Sequence, residues 1–394
     1  MPRRTIAVVT TSRADYGHLY WPLKELAGRA EVDLKVVAMG AHLSPEFGTT
    51  VVEIERDGFA GDERVECLLS SDTDVGMAKS IGVATLGLAD VFGRLRPDVL
   101  LLIADRYELL APASVAVALR IPIAHIEGGE VSEGAIDDAI RNALTKLSHV
   151  HFTPTESARR RVLAMGEEAW RVHRVGAPSL DHLPKRTLPS RAELERRLEL
   201  TPERPRVMVA HHPLTLARDT LCEVDALLDA LARLAAPLVF CFPNADAGSR
   251  ALIARAQAFC AGRERARLFV NLNPVDYWAL LKEVDVLIGN SSSGIMETPA
   301  LQVPTVNVGR RQQGRERARN ILDVPAEADA IAAAVARALD PAFRTSLAGM
   351  INPYGDGHAA ERIADVLCDL PPAETLLLKR AAPLTAPPPD PPRG

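Results

Sequence analysis

The sequence predicts an α/β protein with two doubly wound, Rossmann-like domains that face each other across a cleft. Short β-branched runs alternate with longer helical patterns, and the whole alternation repeats in the second half of the chain. Strands that alternate with helices form parallel sheets covered on both faces. A chain of 394 residues is also too long for one ordinary core, so two domains are expected.

The first predicted domain covers residues 1–183, where apolar runs predict strands and the stretches between them predict helices. The strands are Ile6–Thr10, Val32–Ala38, Val99–Ile103, Ile121–Ile126 and His149–Phe152. The helices lie near Leu19–Gly28, Val75–Leu95, Leu109–Leu119 and Asp137–Leu147. This order predicts a parallel sheet with helices on both faces.

The second predicted domain covers residues 184–370 and repeats the pattern. Its strands are Val207–Ala210, Leu238–Phe242, Leu268–Val270, Val286–Ile288 and Thr305–Val308. Its helices lie near Thr220–Leu234, Gly248–Cys260, Val275–Lys282, Ser293–Ala300 and Ala326–Ala338. Pro184 and Pro189 break any helix between the two domains. A last helix, about residues 357–370, could pack back on the first domain, and the proline-rich residues 371–394 are expected to form a disordered tail.

Composition and charge exclude several classes of protein. A net charge of -5 and a pI of about 6.1 argue against a general nucleic-acid binder. No apolar run reaches the roughly 20 residues that span a bilayer, and the apolar residues Ile6–Val9 indicate a first strand, not a secretory leader. Five scattered cysteines without a CxxC pair fit reduced thiols, so a cytoplasmic protein is expected.

The strongest functional signal lies where the strand Ile121–Ile126 ends. His125, Glu127 and Glu130 occur together there, and Asp137 opens the next helix. Ligands bind at the carboxyl ends of strands in open α/β sheets. Polar groups crowded onto this edge therefore predict an active site, with a buried strand that ends in a solvated acidic turn as the simpler alternative.

Two other strand ends in the first domain also carry polar groups. Arg13 follows the first strand in a loop that suits an anion at a helix N-terminus, although an ordinary helix start with Asp15 near the N-cap explains the loop as well. Asp105 and Arg106 follow the strand Val99–Ile103. A surface salt bridge would explain that pair alone, but so many ionisable groups would be costly at a buried edge without a charged ligand.

The second domain offers a nucleotide site. Free N–H groups at a helix start, with the serine hydroxyls of Gly289–Gly294, make a phosphate cradle. Glu297 follows about one helical turn later and could accept both hydroxyls of a ribose. His212 ends another strand, Arg311 adds positive charge, and Asn244 lies in a further strand-end loop. A histidine pair at residues 211–212 is by itself more often packing than catalysis.

Two signals for metal are discounted. Asp72-Thr73-Asp74 has the DxD pattern of some glycosyltransferases, but it precedes a long helix, where Asp is an ordinary N-cap. No HExxH motif or Cys/His cluster argues for zinc. We therefore expect neither a metal nor a cofactor.

Nine segments carry motifs whose order a known family shares. They are Ser12–Tyr16, Asp105–Arg106, His125–Glu130, Ile136–Asp138, Thr145–Leu147, Phe242–Asn244, Asp246–Gly248, Gly289–Ser292 and Tyr354–Gly357. In these segments, and from Val8 to about Ala360, the chain resembles the hydrolysing UDP-N-acetylglucosamine 2-epimerases of sialic acid synthesis. The chain departs from relatives at Ala104, where many have glycine, and at Gly17, where some have serine.

The resemblance implies a fold like that of GT-B glycosyltransferases, with the nucleotide held mainly by the second domain. UDP would be bound by Arg13, His212, Asn244, Ser291, Ser292, Glu297 and Arg311, and the sugar would be surrounded by Asp105, Glu127 and Asp137. The implied reaction converts UDP-N-acetylglucosamine and water to UDP and N-acetylmannosamine. A homodimer or homotetramer is expected by the same resemblance.

The chemistry of this reaction needs several acid/base groups. A sugar C2–H beside no carbonyl is a very weak acid, so its removal must be coupled to departure of UDP from C1. The resulting 2-acetamidoglucal then adds water, and two such steps need more than one general acid or base. We predict Asp105, Glu127 and Glu130 for these roles, with Asp137 in support. Further substrate contacts are predicted from Arg13, Arg106, His125, His212 and the serine loop.

Three alternatives stay open at this point. The same elimination on UDP-N,N′-diacetylbacillosamine, on the way to legionaminic acid, would use the same residue types. A GT-B glycosyltransferase would need an acceptor before it releases UDP. A non-catalytic regulator would bind a nucleotide sugar without turnover, although a site that merely holds an anion would not gather carboxylates.

Overall fold

The computed structural model describes residues 3–59, 61–69, 73–133, 136–214, 219–242, 249–270 and 272–380. Within these ranges the chain forms one seven-stranded and one six-stranded sheet, and every strand pair in both is parallel. The prediction of two doubly wound α/β domains is confirmed.

The first sheet and its helices alternate as predicted. The strands are β1 (Arg4–Thr10), β2 (Val32–Met39), β3 (Gly61–Val65), β4 (Val99–Ile103), β5 (Ile123–Ile126), β6 (Val150–Thr153) and β7 (Val172–Arg174). The helices are α1 (Arg13–Ala27), α2 (Val51–Arg56), α3 (Asp74–Leu95), α4 (Leu110–Leu119), α5 (Asp137–Leu147) and α6 (Glu156–Ala164). Short 3-10 turns at Gly40–Leu43, Pro45–Phe47, Tyr107–Leu109 and Ala169–Arg171 join them.

A 3-10 turn at Pro178–Asp181 and two short helices, α7 (His182–Lys185) and α8 (Arg191–Arg197), lead into the second sheet. Its strands are β8 (Val207–Ala210), β9 (Leu238–Phe242), β10 (Ala266–Val270), β11 (Val286–Gly289), β12 (Thr305–Val308) and β13 (Ile321–Val324). Its helices are α9 (Val224–Ala232), α10 (Ser249–Ala261), α11 (Pro274–Glu283), α12 (Ser293–Met296), α13 (Thr298–Leu301), α14 (Ala328–Leu339) and α15 (Pro341–Ser346). The chain ends with α16 (Ala359–Cys368) and α17 (Ala373–Leu377).

Both sheets reverse their strand order once. The first has the order β3-β2-β1-β4-β5-β6-β7, and the second has β10-β9-β8-β11-β12-β13. The reversal falls between β1 and β4 in one sheet and between β8 and β11 in the other. Ligands of open α/β sheets bind in the crevice outside such a switch point. The topology therefore predicts a ligand site at the carboxyl ends of β1 and β4 and of β8 and β11.

Three strands escaped the sequence prediction, namely β3, β7 and β13. Each lies at the outer edge of its sheet. The described side chains of β7 and β13 are half-buried or exposed except at Val172. The apolar run that predicts a central parallel strand is therefore missing, because an edge strand need not be covered on both sides.

The C-terminal segment packs on the first sheet. Ile363, Ala364 and Leu367 of α16 belong to the buried cluster beneath β1, and Leu376 of α17 joins them. The predicted disordered tail therefore began too early, because residues 371–380 are ordered. Arg171 donates to the carbonyls of Leu376 and Leu378 at 2.8 and 2.9 Å, which satisfies backbone groups at the end of α17. The remainder of the predicted tail, residues 381–394, lies outside the described residues.

By length and composition, α3 is apolar enough to cross a membrane. Ala84, Leu88, Val91 and Phe92 on one of its faces are buried against the sheet, in the same cluster as β4 and α4. This helix therefore covers the first sheet and contributes one side of its core.

Candidate functional site

The two switch points bring the predicted loops together. Arg13 lies just beyond β1 and Asp105 just beyond β4, which are neighbours in the first sheet. His212 and Ser291 stand in the same way beyond β8 and β11 of the second. Contacts between the lobes, described below, close these two edges onto one site.

The loop after β1 is built around Asp15. Its carboxylate accepts hydrogen bonds from the backbone N–H groups of Thr11 and Ser12, both at 2.6 Å, and from the Ser12 hydroxyl at 2.7 Å. Ser12 is the N-cap of α1, so this is a capping box and Asp15 serves the helix start. Arg13, the first residue of α1, pairs with Glu53 at 3.1 Å and lines the pocket between the lobes.

Two residues at the ends of β4 and β5 adopt left-handed backbone. Ala104 has φ +62° and Glu127 has φ +66°. Such strain at non-glycine residues persists only where surrounding contacts enforce it. Here the Ala104 N–H donates to the Ile126 carbonyl at 3.0 Å, and the Glu127 N–H donates to the Phe152 carbonyl at 2.8 Å. The left-handed backbone at Ala104 is one that glycine adopts without strain.

His125 lies behind this edge and has no surface on the pocket. It is fully buried, and its Nε2–H donates to the Ala104 carbonyl at 2.7 Å. Burial lowers its pKa to about 4, which keeps the ring neutral. His125 is predicted to contact substrate; in the structure its ring is fully buried and holds the turn that carries Asp105.

His18 joins a carboxylate of each lobe. Its Nδ1 lies 3.0 Å from Glu127 Oε1, and its Nε2 lies 3.7 Å from Glu297 Oε1. Glu127 is 5% exposed and Glu297 is 4% exposed. We call this arrangement the His18 bridge. It places the acidic strand end of the first domain beside the serine loop of the second.

The His18 bridge fixes two charges. Burial by itself lowers the pKa of His18, but Glu127, Glu297 and Asp15 together raise it to about 9. Burial by itself raises the pKa of Glu127, and His18 and Arg315 more than offset this, so that this pKa lies below its usual range. At neutral pH the pair is therefore an imidazolium and a carboxylate.

The pKa of Glu130 is shifted in the direction opposite to that of Glu127. Burial raises its pKa, and nearby Glu127 adds to the rise, while Arg315 opposes it. Tyr354, a fully buried residue, donates its hydroxyl to Glu130 Oε2 at 3.2 Å. Arg315 Nε lies 3.7 Å from the same oxygen. Two neighbouring carboxylates thus have pKa values shifted in opposite directions, as acid/base pairs in enzymes do.

The other predicted charged residues of the first domain lie in ion pairs or at the start of a helix. Asp105 forms an ion pair with Arg141, a side chain that is only 1% exposed. Arg106 pairs with Glu108 at 2.9 Å. Asp137 opens α5, one residue before Asp138, whose carboxylate accepts from the Ser132 N–H at 2.9 Å.

The second lobe presents its serines on a turn that only glycine allows. Gly289 has φ +138°, and a Cβ there would lie 2.1 Å from the Ala210 carbonyl oxygen. The close approach lets that oxygen accept the N–H groups of Asn290 and Ser291 at 3.1 and 3.2 Å. The Asn290 side chain accepts from the His212 N–H at 2.7 Å and so fixes the neighbouring loop.

A pocket between the lobes collects most of the predicted nucleotide ligands. It encloses about 760 Å³ including its open mouth. Five predicted residues line it, namely Arg13, His212, Ser291, Ser292 and Glu297. His18, Tyr277 and Trp278 complete its walls. Glu127 reaches this pocket through His18, while Arg311 lies behind Asn290 and donates to its carbonyl at 3.3 Å. Asn244 lies outside the described residues.

Sequence reasoning missed His18 and Tyr277, and it did not identify Arg315 and Tyr354 as partners of Glu130. Arg315 also spans the lobes, since its Nε donates to the Val131 carbonyl at 2.9 Å. His18 lies on α1, two residues beyond the predicted segment Ser12–Tyr16, and this nearness in sequence was the available signal. Among the described residues, no group of three or more His, Cys, Asp or Glu is arranged to hold a metal ion.

Comparison with known proteins gives consistent matches. Residues 24–368 match the family described as UDP-N-acetylglucosamine 2-epimerase. The chain is 37% identical over 326 residues to the GDP/UDP-N,N′-diacetylbacillosamine 2-epimerase (hydrolyzing) of Campylobacter jejuni, covering 82% of this chain and 85% of that one. It is 35% identical over 370 residues to the UDP-N,N′-diacetylbacillosamine 2-epimerase (hydrolyzing) of Legionella pneumophila, covering 93% and 96%. The solved UDP-GlcNAc 2-epimerase of Neisseria meningitidis bound to UDP-GlcNAc superposes with a TM-score of 0.78 at 19% identity, covering 92% and 99%.

Proposed function

Because this chain belongs to the UDP-N-acetylglucosamine 2-epimerase family, we propose that it hydrolyses a UDP-linked 2-acetamido sugar with inversion at C2. We further propose UDP-N,N′-diacetylbacillosamine as the substrate. The products would be UDP and the free 2,4-diacetamido-2,4,6-trideoxy sugar of manno configuration.

The observation that carries the proposal is the His18 bridge. Only the His18 side chain separates the ionised carboxylate of Glu127 from Glu297. Glu297 lines the same pocket as the serine loop. A base from one lobe and an anion-binding loop from the other then act on opposite parts of one substrate. This is the division that a coupled elimination needs, since the proton and the diphosphate leave from adjacent carbons.

The nucleotide would lie along the second lobe. Ser291 and Ser292 line the pocket together with Arg13 of the first lobe, a set that suits a diphosphate. Glu297, a buried carboxylate at the pocket wall, would accept the hydroxyls of the ribose. Preorganised donors of this kind stabilise the negative charge that develops on a leaving diphosphate.

The first step would break two bonds and form two. Glu127 takes the proton from C2, the C2–H electron pair forms the C1=C2 double bond, and the C1–O bond breaks with its electrons on the diphosphate. UDP departs and a 2-acetamidoglucal derivative remains. A general base contributes roughly 10²–10⁴-fold to such a step, and ionised Glu127 meets the requirement for a base at neutral pH.

The second step adds water to the double bond. The hydroxyl goes to C1 and a proton goes to C2 from the face opposite to that first deprotonated, which inverts C2. Glu130, whose pKa is raised by burial, would retain a proton and give it to C2. The proton that the attacking water loses would restore the Glu130 acid, and Glu127 would release the proton taken in the first step to solvent. Asp105 and Asp137 are proposed to orient the sugar and the water.

The names of two relatives favour the diacetylbacillosamine sugar over UDP-N-acetylglucosamine, the substrate expected from the motifs. Relatives at 37% and 35% identity carry the former name. The solved enzyme with UDP-GlcNAc is only 19% identical, so it supports the fold and not the choice of sugar. The two sugars differ at C4 and C6 and share the atoms that react.

The test incubates the purified full-length chain with each UDP sugar separately in D2O and follows UDP release and proton NMR. We expect free 2,4-diacetamido-2,4,6-trideoxymannose with deuterium at C2, and a kcat/KM at least tenfold higher than with UDP-N-acetylglucosamine. The GDP-linked sugar is run alongside to test the choice of nucleotide.

The outcomes separate the alternatives. A higher kcat/KM for UDP-N-acetylglucosamine would refute the proposed sugar and keep the reaction. UDP release only when an acceptor is added would indicate a glycosyltransferase. Binding of both sugars by calorimetry without any release of UDP would indicate a regulator and reject hydrolysis altogether.

A further inference from the structure

A small cavity lies at the edge of the second sheet that is opposite to the candidate functional site. It is lined by Arg206, directly before β8, by Leu238, which begins β9, and by Arg265 and Arg267 at the start of β10. These strands are neighbours in the sheet. We call this space, of about 210 Å³, the Arg206 cavity. Because β8 has four residues, about 13 Å of strand separates the cavity from the carboxyl edge that carries His212.

Arg206 brings a charge to this cavity, and only part of its hydrogen-bonding capacity is used. The side chain is fully buried, and its Nη2 group donates to Glu195 Oε1 at 2.7 Å and to the Thr201 carbonyl at 2.6 Å. Among the residues that the structure describes, its Nε and Nη1 groups have no acceptor, and the Thr201 hydroxyl has no partner either. Arg206 and Thr201 both line the cavity. Buried polar groups in proteins are normally paired, so these groups indicate a ligand that accepts hydrogen bonds.

The charge around the Arg206 cavity favours an anion. Three arginines line it, Arg206, Arg265 and Arg267, and in the described part of the chain no carboxylate does. Glu195 is the carboxylate partner of Arg206, but it also pairs with Arg191 at 2.9 Å. Arg267 donates to backbone carbonyls and, within the described ranges, forms no ion pair. Positive charge therefore exceeds negative charge here, and an anion would reduce the repulsion between the guanidinium groups.

Size and donor chemistry select a monoatomic anion. The cavity leaves room for about one particle the size of a water molecule. A chloride ion is only slightly larger, whereas a tetrahedral phosphate is far too large. A water molecule would need acceptors for its own two protons, but the unpartnered side-chain groups are guanidinium N–H donors and a hydroxyl that can donate. Leu200 and Val239 supply apolar walls, which suit an anion as weakly hydrated as chloride.

We propose that the Arg206 cavity binds a chloride ion, which accepts hydrogen bonds from the Arg206 guanidinium and from the Thr201 hydroxyl. The ion joins the start of β8 to the loop that follows α8, and it thereby stabilises the second domain. The proposal goes beyond the proposed function and does not depend on it, because the cavity and the candidate functional site lie at opposite edges of the sheet.

The test measures the thermal denaturation midpoint of the full chain while sodium gluconate is replaced by sodium chloride at constant ionic strength. Gluconate is too large for the cavity, and constant ionic strength keeps general screening unchanged. The midpoint should rise with chloride and then saturate. For a domain of this size, the rise should be about 2–4 °C at a chloride concentration about five times the Kd. Sodium bromide should have a similar effect.

Three variants locate the effect of chloride. Arg206→Met removes the guanidinium donors and should abolish the chloride-dependent rise. Thr201→Val keeps the shape of the side chain and removes the hydroxyl, so the Kd for chloride should increase about fivefold. Arg13→Met is the matched control, because Arg13 belongs to the other place where an anion is expected, the pocket between the lobes. This variant should keep the wild-type dependence on chloride.

A crystal of the wild-type chain soaked in sodium bromide gives the position of the ion directly. The anomalous signal of bromide should show a peak within hydrogen-bond distance of Arg206 and Thr201. This measurement decides the question even if Arg206→Met does not fold.

Three results would overturn the proposal. The first is a wild-type midpoint that is the same in chloride and in gluconate. The second is a chloride dependence that persists in Arg206→Met or disappears in Arg13→Met. The third is a cavity that holds an ordered water molecule only, without an anomalous signal from bromide.

Discussion

Glu127→Gln should return His18 to an ordinary or lower pKa. The imidazole of His18 lies 3.0 Å from Glu127, and its pKa of about 9 compares with 6.5 for a free histidine. That difference corresponds to about 3 kcal/mol in favour of the imidazolium. Glu127 supplies the largest of the contributions that raise this pKa, and burial lowers it. Without the carboxylate, His18 should therefore titrate at or below 6.5.

The sign of the stability effect follows from the raised pKa of His18. A group whose pKa is higher in the folded state stabilises that state fully below its unfolded pKa and loses the effect as pH rises through its folded pKa. The His18 contribution of about 3 kcal/mol should thus be present at pH 6 and lost as pH rises through about 9. Glu127→Gln should remove that pH dependence.

The assay is a histidine ¹³Cε1 NMR titration of the full chain from pH 5 to pH 10.5, with the His18 signal assigned by its absence in His18→Gln. Glu297→Gln should lower the His18 pKa less than Glu127→Gln does, because its carboxylate is 3.7 Å away. The exposed His358 serves as the internal control. If His18 titrates near 6.5 in the wild type, or keeps a pKa near 9 in Glu127→Gln, the electrostatic account of the His18 bridge is wrong.

Three further changes have defined outcomes. Glu127→Gln should lower kcat for UDP release by about 10²–10⁴-fold while UDP still binds by calorimetry, and unchanged turnover would exclude the residue as a base. Gly289→Ala should lower the free energy of unfolding by more than about 2 kcal/mol, because its Cβ would collide with a backbone oxygen, whereas Gly262→Ala, with open space around it, should stay within about 1 kcal/mol. Lys379→Met should destabilise the fold by about 1–3 kcal/mol, since it removes the ammonium 2.7 Å from the fully buried Glu167 carboxylate; a thermal denaturation midpoint equal to wild type would show that this contact contributes nothing.

The pattern of apolar residues along the chain predicted most strands of the two sheets. The apolar runs at Val99–Ile103 and Val286–Ile288 predicted central parallel strands, and both lie in strands of the two sheets. Such strands are covered on both faces, so every side chain in them must be apolar. The edge strand Ile321–Val324 is not under that constraint and left no such signal.

The polar groups at the strand ends could also be predicted from the sequence, because the carboxyl ends of parallel strands lie at one edge of the sheet. Glu127, Arg13 and Ser291 were predicted on this ground, and each lies at the site. His125 satisfies the same criterion but is buried behind the turn. Sequence position places a residue at an edge and does not say which way its ring points.

What the sequence by itself determined was the alternation of strands and helices and the chemistry placed at the strand ends, since both depend on neighbours within a few residues. Tertiary structure alone decided that His18 joins Glu127 to Glu297, and that Tyr354 donates to Glu130. These partners stand more than 100 residues apart, and their charges are fixed by burial and proximity. Burial and proximity arise only when the two lobes pack, because no local periodicity encodes the distance between side chains of separate domains.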